Sequence, residues 1–200
     1  MRRFMVSVCL IVFAFVCIGC STTLQIVDVA NAPKPSPEMK KLELFVGEWT
    51  YEGEQLDTPV EGLPWGPGGK FAGGFESRFV LNGHFMEGRG SEKGPAGEGG
   101  FVGISWYDAK TKGYAVHTYL NDGTMYTETA RLDGLTYTSS WPISTEDGTE
   151  VLVRGVWKFS EDRASFTSTW HLSMDDGNTW KYYAEYRGKK RHGLISYAQR

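Results

Sequence analysis

The sequence predicts an all-β fold, an antiparallel up-and-down barrel of about ten strands entered through a short helix. Three observations carry that prediction. From Glu48 to Arg187 the chain falls into short runs with strand-like alternation. Asn-Gly and Asp-Gly connectors between the runs supply the positive φ that tight hairpins demand. Aromatics at 14% and 25 glycines in 200 residues suit a turn-rich sheet better than a helix bundle. Connectors this short require antiparallel neighbours, because parallel pairs need long crossovers. A meander of that length exposes unpaired edges unless it closes on itself.

The chain opens with an address. Met1-Arg2-Arg3 is a basic start, and Phe4 to Gly19 is uncharged and mostly apolar. That run is short for a membrane span and has the layout of a secretory leader. Residues 1–19 are therefore expected to be a signal peptide. Its end, Val16-Cys17-Ile18-Gly19-Cys20-Ser21, resembles the bacterial lipobox, with Cys17 standing where Leu is usual. The resemblance implies that Cys20 becomes the lipid-modified mature N-terminus, anchored by more than one acyl chain. Ordinary cleavage after Ala30-Asn31-Ala32 is the alternative, with Pro33 at the cut against it.

The expected location is the bacterial cell envelope, membrane-anchored and facing the periplasm or the outer surface. The alternative cleavage would leave a soluble periplasmic or secreted protein. All three cysteines, Cys9, Cys17 and Cys20, sit in or beside the leader. The mature body thus has no disulfide, no thiolate metal site and no Cys nucleophile. Loss of Arg2 and Arg3 takes the net charge from −3 to −5. No nucleic-acid partner is expected of so acidic a domain; a protein partner is left unspecified.

Residues 20–37 read as a Pro-rich tether, with Pro33, Pro35 and Pro37 holding the chain extended. Ser36 can cap a helix that starts at Pro37, with Glu38 near its N-terminus and Leu42, Phe45 and Val46 on one face. The helix is expected to end near Gly47. The barrel domain is placed at 38–188. Its strand runs are Glu48–Glu54, Lys70–Leu81, His84–Gly90, Gly99–Tyr107, Gly113–Leu120, Thr124–Leu132, Thr136–Trp141, Glu150–Phe159, Ala164–Met174 and Asn178–Arg187. Residues 189–200 form a basic C-terminal tail that can stay solvated or touch anionic headgroups.

Alternation assigns faces. Phe71, Gly73, Phe75, Phe79 and Leu81 share one side of their run, opposite Glu76 and Arg78. Val151, Val153, Trp157 and Phe159 oppose Arg154 and Lys158; Phe166, Trp170 and Leu172 oppose Thr167, Thr169 and His171. A barrel of this strand number can enclose a ligand cavity. Aromatics could equally fill it, so a hollow and a filled interior both remain open.

The body resembles a bacterial domain-of-unknown-function family, number 1579, of the calycin-like β-barrel type, from about Pro35 to Lys189. The carrying pieces are Ser36-Pro37-Glu38-Met39-Lys40-Lys41-Leu42 with Phe45-Val46-Gly47-Glu48-Trp49, and Leu81-Asn82-Gly83-His84-Phe85-Met86-Glu87. They continue in Gly103-Ile104-Ser105-Trp106-Tyr107-Asp108 and close in Asp175-Asp176-Gly177 with Thr179-Trp180. The resemblance implies a fold and brings no reaction. Gly47-Glu48-Trp49 also looks like the Gly-x-Trp opening of lipocalins, which implies that Trp49 plugs the closed barrel end.

Ser173-Met174-Asp175-Asp176-Gly177-Asn178-Thr179-Trp180 fits the Asp-box pattern, a stabilised turn with Asp capping backbone donors and Trp packed beneath. A single copy carries no propeller. No P-loop, dinucleotide fingerprint or His-Glu-x-x-His is present. Gly94 to Gly100 reads as a loop, and Trp65, on a second Gly-Pro loop, as a packing anchor, a lid or a foot on a partner. His84, His117, His171 and His192 share no ligand spacing along one strand, and neither a metal nor a cofactor is expected.

Candidate ligand contacts are Trp106, His117, Tyr119, Tyr126, Arg154 and Trp157. Arg154 is open to two readings: inward, it would hold an anion such as a fatty-acid carboxylate; outward, it is a solvated residue. Three function classes follow. The first is a non-catalytic binding protein for a small, largely apolar ligand. The second is an envelope interaction module with a filled core. The third is an enzyme on a small hydrophobic substrate, using His84 or His117 as acid–base.

Overall fold

A computed structural model describes residues 32–57, 63, 66–145 and 147–191. The leader, Cys20, Trp65 and the tail 192–200 lie outside the described residues. No described helix is long and apolar enough to cross a membrane.

Helix α1 spans Pro37–Lys40 and passes into a 3-10 turn at Lys41–Phe45. Its start follows from the capping chemistry: the Glu38 amide donates to Ser36 Oγ at 3.3 Å, with Pro37 in the first turn. Met39, Leu42, Leu44 and Phe45 are buried. The Phe45 ring meets Tyr137 and Phe159 edge-on, both at 4.9 Å. This short segment therefore stoppers one end of the barrel.

Ten strands follow: β1 Gly47–Gln55, β2 Gly69–Val80, β3 Phe85–Gly94, β4 Gly97–Asp108, β5 Gly113–Leu120, β6 Met125–Asp133, β7 Thr136–Ser144, β8 Glu150–Phe159, β9 Ser165–Ser173 and β10 Lys181–Lys190. Each pairs with its sequence neighbours, and β1 pairs with β10, so the antiparallel sheet closes into a barrel. Closure leaves no free edge. The turn chemistry is as the sequence reads: Gly83, Gly123, Gly134, Gly148 and Gly177 all take positive φ.

Two local expectations are corrected. Leu81 does not share the inner face of β2. The strand ends at Val80, and Leu81-Asn82-Gly83 form a 3-10 turn that leaves Leu81 72% exposed. Gly94 to Gly100 is not a loop: β3 runs to Gly94 and β4 starts at Gly97, joined by Pro95-Ala96. Alternation cannot mark those strand ends, because their inward row at Gly99 has no side chain to bury.

The closed half of the barrel is a continuous aromatic core. Trp49 is 1% exposed, and its Nε1 donates to the Phe45 carbonyl at 2.9 Å. Its ring stacks near Phe75 at 6.0 Å and meets Phe159 and Phe166 at 5.8 and 5.3 Å. Trp157 joins Phe166 at 4.8 Å and Tyr186 at 5.3 Å. Such pairs add about 0.5–1.5 kcal/mol each beyond the area they bury. The last connector is the Asp-box turn. The Asp175 carboxylate accepts from the Thr179 amide at 2.8 Å, from Thr179 Oγ1 at 2.6 Å and from Ser173 Oγ at 2.8 Å. Those donors hold its pKa down at about 2.

Candidate functional site

Antiparallel partners point to the same side of a sheet, so the register assigns every side chain to the lumen or to the outer wall. Through β2 to β6 one inward set runs Ser77, Gly88, Gly103, Thr118 and Tyr126. A second runs Gly73, Glu92 and Gly99, and a third Ser105, Val116 and Glu128. On the far wall, Ser139 pairs with Gly155 and Gly155 with Trp170. Between the first two sets runs a row of Phe75, Gly90, Phe101 and Leu120, so small and polar residues alternate with apolar ones around the mid-barrel.

The inward glycines fall into two groups. A Cβ at Gly188 would sit 2.2 Å from ring carbons of Phe166. At Gly53 it would meet Tyr186 Cβ at 2.4 Å, at Gly73 the Tyr51 hydroxyl at 2.6 Å, and at Gly90 the Phe101 ring at 2.8 Å. At Gly188 a ring occupies the missing side chain; at Gly53, Gly73 and Gly90 a backbone carbonyl oxygen is nearer still, that of Glu185 at 2.3 Å, of Ser91 at 2.4 Å and of Gly74 at 2.4 Å. Gly88, Gly99 and Gly103 differ. A Cβ there would meet Ser77 Oγ at 3.1 Å, Asn121 Oδ1 at 3.9 Å, and Thr118 Oγ1 at 3.6 Å, respectively, as its nearest neighbour. The inner face of β3–β4 is therefore mixed: the Phe101 ring covers Gly90, Ser77 crowds Gly88, and only ordinary contacts surround Gly99 and Gly103.

Two carboxyl groups face this region. Glu92 accepts from the Tyr51 hydroxyl at 3.0 Å, and burial raises its pKa, partly offset by that bond. Glu128 accepts from Thr118 Oγ1 at 3.2 Å. Burial raises its pKa as well, against the opposing pull of Ser139 and Thr118. Burial also drives the Tyr126 and Tyr186 hydroxyls upward, and both carboxylates add to each shift. Glu128 and Tyr126 are deeply embedded, yet each retains part of its surface accessible. Trp141 stacks on Tyr126 at 5.3 Å and meets Trp170 edge-on at 5.4 Å. Trp170 Nε1 donates to the Tyr186 hydroxyl at 3.1 Å.

Of the six predicted ligand contacts, the structure brings two inside: Tyr126 beside this region, and Trp157 within the aromatic core. Trp106, His117, Tyr119 and Arg154 face outward, which corrects an interior role for the first three and gives Arg154 the outward of its two readings. The cause is that large side chains stand on both faces: the lumen row of β4 and β5 holds Phe101, Tyr107, Tyr114 and Leu120 together with the small Gly103, Ser105 and Thr118, and the outer row carries Trp106, His117 and Tyr119. His117 packs edge-on against Trp106 at 4.8 Å on the outside. The Arg154 guanidinium lies over Trp180 at 4.0 Å, beside His171. Burial and the neighbouring Arg154 lower the His171 pKa. A fatty-acid carboxylate thus finds no Arg154 in the lumen.

Glu92 and Glu128 were missed by sequence reasoning. The signal was present for Glu128, which shares its strand parity with Tyr126, Ala130 and Leu132. Two concavities of about 440 and 360 Å³ mark the surface beside α1 and over β5–β7. Among the described residues no three His, Cys, Asp or Glu side chains gather as a metal site.

No family model matches the chain, and no curated protein matches it. Among solved structures, the crystal structure of Rv2717c from M. tuberculosis matches with a TM-score of 0.54 at 10% identity, covering 79% of this chain and 99% of that one. At that identity the likeness concerns architecture alone: both chains are β-barrels of similar build.

Proposed function

We propose that this is an exported, lipid-anchored barrel that binds a small, largely apolar ligand without catalysis. One observation carries the reading: a Cβ at lumen-facing Gly99 or Gly103 would make only ordinary contacts, at 3.9 and 3.6 Å, near the Tyr126 ring and the Glu92 and Glu128 carboxyls, which keep accessible surface. Apolar walls with a few converging polar groups are the usual composition of a small-molecule site. Tyr126, Trp141 and Trp170 supply flat apolar contacts, while Glu92 and Glu128 supply acceptors. Among the described residues the lumen groups around that space include no Arg or Lys, so a ligand with a neutral or cationic head fits and a carboxylate is repelled. Export and anchoring rest on the leader and on Cys20.

Purified full-length protein titrated with 1-naphthylmethylamine, 1-naphthalenemethanol and 1-naphthoic acid tests the reading. Tryptophan emission, close to the site at Trp141 and Trp170, reports binding. The amine and alcohol are expected to bind at least about tenfold more tightly than the acid, about 1.4 kcal/mol. No change with any probe at millimolar concentration, or preference for the acid, would overturn it.

A further inference from the structure

We infer that the outer face of β4–β5, edged by Phe85 and Met125, rests on the lipid surface to which the chain is tethered. The inference depends on the anchoring at Cys20 proposed above. Its basis is a band of outward apolar side chains that a closed barrel has no internal reason to carry. Trp106 lies 6.4 Å from Phe85 and 4.8 Å from His117, ring to ring. Ile104 pairs with His117, and Val102 with Tyr119 and through it with Met125. Val102, Tyr119 and Met125 are 40%, 48% and 52% exposed.

From Gly100 to Trp106 on β4, and from Ala115 to Tyr119 on β5, no outward position holds Asp, Glu, Lys or Arg. Charge stands on either side of this stretch: β3 sets Glu87, Arg89 and Lys93 outward, and β8 and β10 set Arg154, Lys158, Glu185 and Arg187 outward. Contiguous exposed apolar surface of this kind marks an interaction site.

Three features select lipid as the occupant. The first is where the chain enters. Pro35, at the start of the barrel unit, faces Gly83, where a Cβ would lie 3.4 Å from its Cγ. That is the foot of the band, next to the exposed Leu81. Ser21 to Pro33 is 13 residues, a reach of at most about 45 Å, so an anchored barrel stays close to its bilayer.

The second feature is residue chemistry. Trp and Tyr favour the headgroup level of a membrane. Arg78 and Arg89, both ion-paired to Glu87, flank the band with cationic groups that remain largely exposed. They can meet anionic headgroups. The third feature is shape. Two convex barrel walls touch along a narrow strip, short of the roughly 800 Å² per partner of a stable interface. A lipid layer can conform to a convex wall.

The test uses the lipidated full-length protein in vesicles of phosphatidylethanolamine and phosphatidylglycerol with brominated acyl chains. Cys20 is acylated in that protein, so Val102→Cys offers a single thiol for a polarity-sensitive fluorophore. Thr167→Cys labels β9 on the opposite wall, and Tyr119→Cys serves as a second site within the band. Emission from positions 102 and 119 is expected to be blue-shifted on reconstitution and quenched by bromolipid at least threefold more than from 167. Equal, weak quenching at all three sites in protein that floats with the vesicles would overturn the inference alone. So would a dimer in detergent that Val102→Glu dissociates. Protein that carries no lipid mass and does not float would overturn the anchoring reading, and this inference with it.

Discussion

Adding one methyl group at two lumen glycines separates a hollow wall from a filled one. At Gly188 the new Cβ would sit 2.2 Å from Phe166 ring carbons, and Phe166 is 2% exposed among Trp49, Trp157, Phe159 and Tyr186. The ring would have to shift by more than an ångström inside a close-packed core. Overpacking of that kind costs about 1–3 kcal/mol. At Gly103 the nearest atom to the new Cβ is Thr118 Oγ1 at 3.6 Å, an ordinary contact. Gly103→Ala there removes backbone freedom from the unfolded chain, a gain of about 0.4–1 kcal/mol. The two variants should therefore differ by about 1.4–4 kcal/mol. At about 2–4 °C per kcal/mol for a domain of this size, their melting temperatures should lie roughly 3–16 °C apart, with Gly103→Ala at or above the parent. Thermal unfolding followed by circular dichroism reads this directly. If Gly103→Ala melts as early as Gly188→Ala, the space beside β4 is already occupied and the hollow-wall argument fails.

Three further outcomes follow from the same geometry. Trp49→Ala should cost about 3–5 kcal/mol in urea unfolding, because Trp49 is 1% exposed at the stoppered end; a loss below 1 kcal/mol would deny it that role. Burial holds the Glu128 pKa above its ordinary value, so its contribution to stability is greatest below about pH 4.5 and is lost as pH rises through the folded-state pKa. Glu128→Gln should therefore gain on the parent between pH 4 and pH 8 in urea midpoints, and parallel pH profiles would contradict the placement. Asp175 has the opposite sign: its pKa is lowered to about 2, so the stability it lends is present above the ordinary carboxylate range and lost as pH falls toward 2. Asp175→Asn should flatten that acid limb, read as hydrogen exchange of the Thr179 amide.

The strands were legible because two local signals agreed. Alternation and Gly-centred turns place all ten runs within a few residues of their observed positions, and β5 and β8 match at both ends. Closure followed from counting edges. What sequence could not phase was the β4–β5 wall. Hydrophobic alternation assumes that the larger side chain points inward. Here the lumen row holds Phe101, Tyr107, Tyr114 and Leu120 but also Gly103, Ser105 and Thr118, while Trp106, His117 and Tyr119 face out. Large side chains stand on both rows, so size alone does not separate them, and the candidate contacts drawn from β4 and β5 landed on the outer face. Arg154 shows the converse. Val151, Val153 and Trp157 face the lumen on β8, and Arg154, of opposite parity, takes the outward of its two readings. Leu81 failed for a third reason: period-two extrapolation runs past a strand end when Asn-Gly follows at once.

The central claim is that this barrel holds a small molecule in its lumen. The most direct test is native mass spectrometry of the protein purified from a bacterial envelope, compared with its denatured mass. The account predicts an additional small-molecule mass that disappears on denaturation, and that Gly103→Leu lowers by filling the β4 wall. It also predicts a covalent lipid increment on Cys20 that survives denaturation. A bare polypeptide mass under native conditions, unchanged after incubation with apolar amines and alcohols, would contradict it.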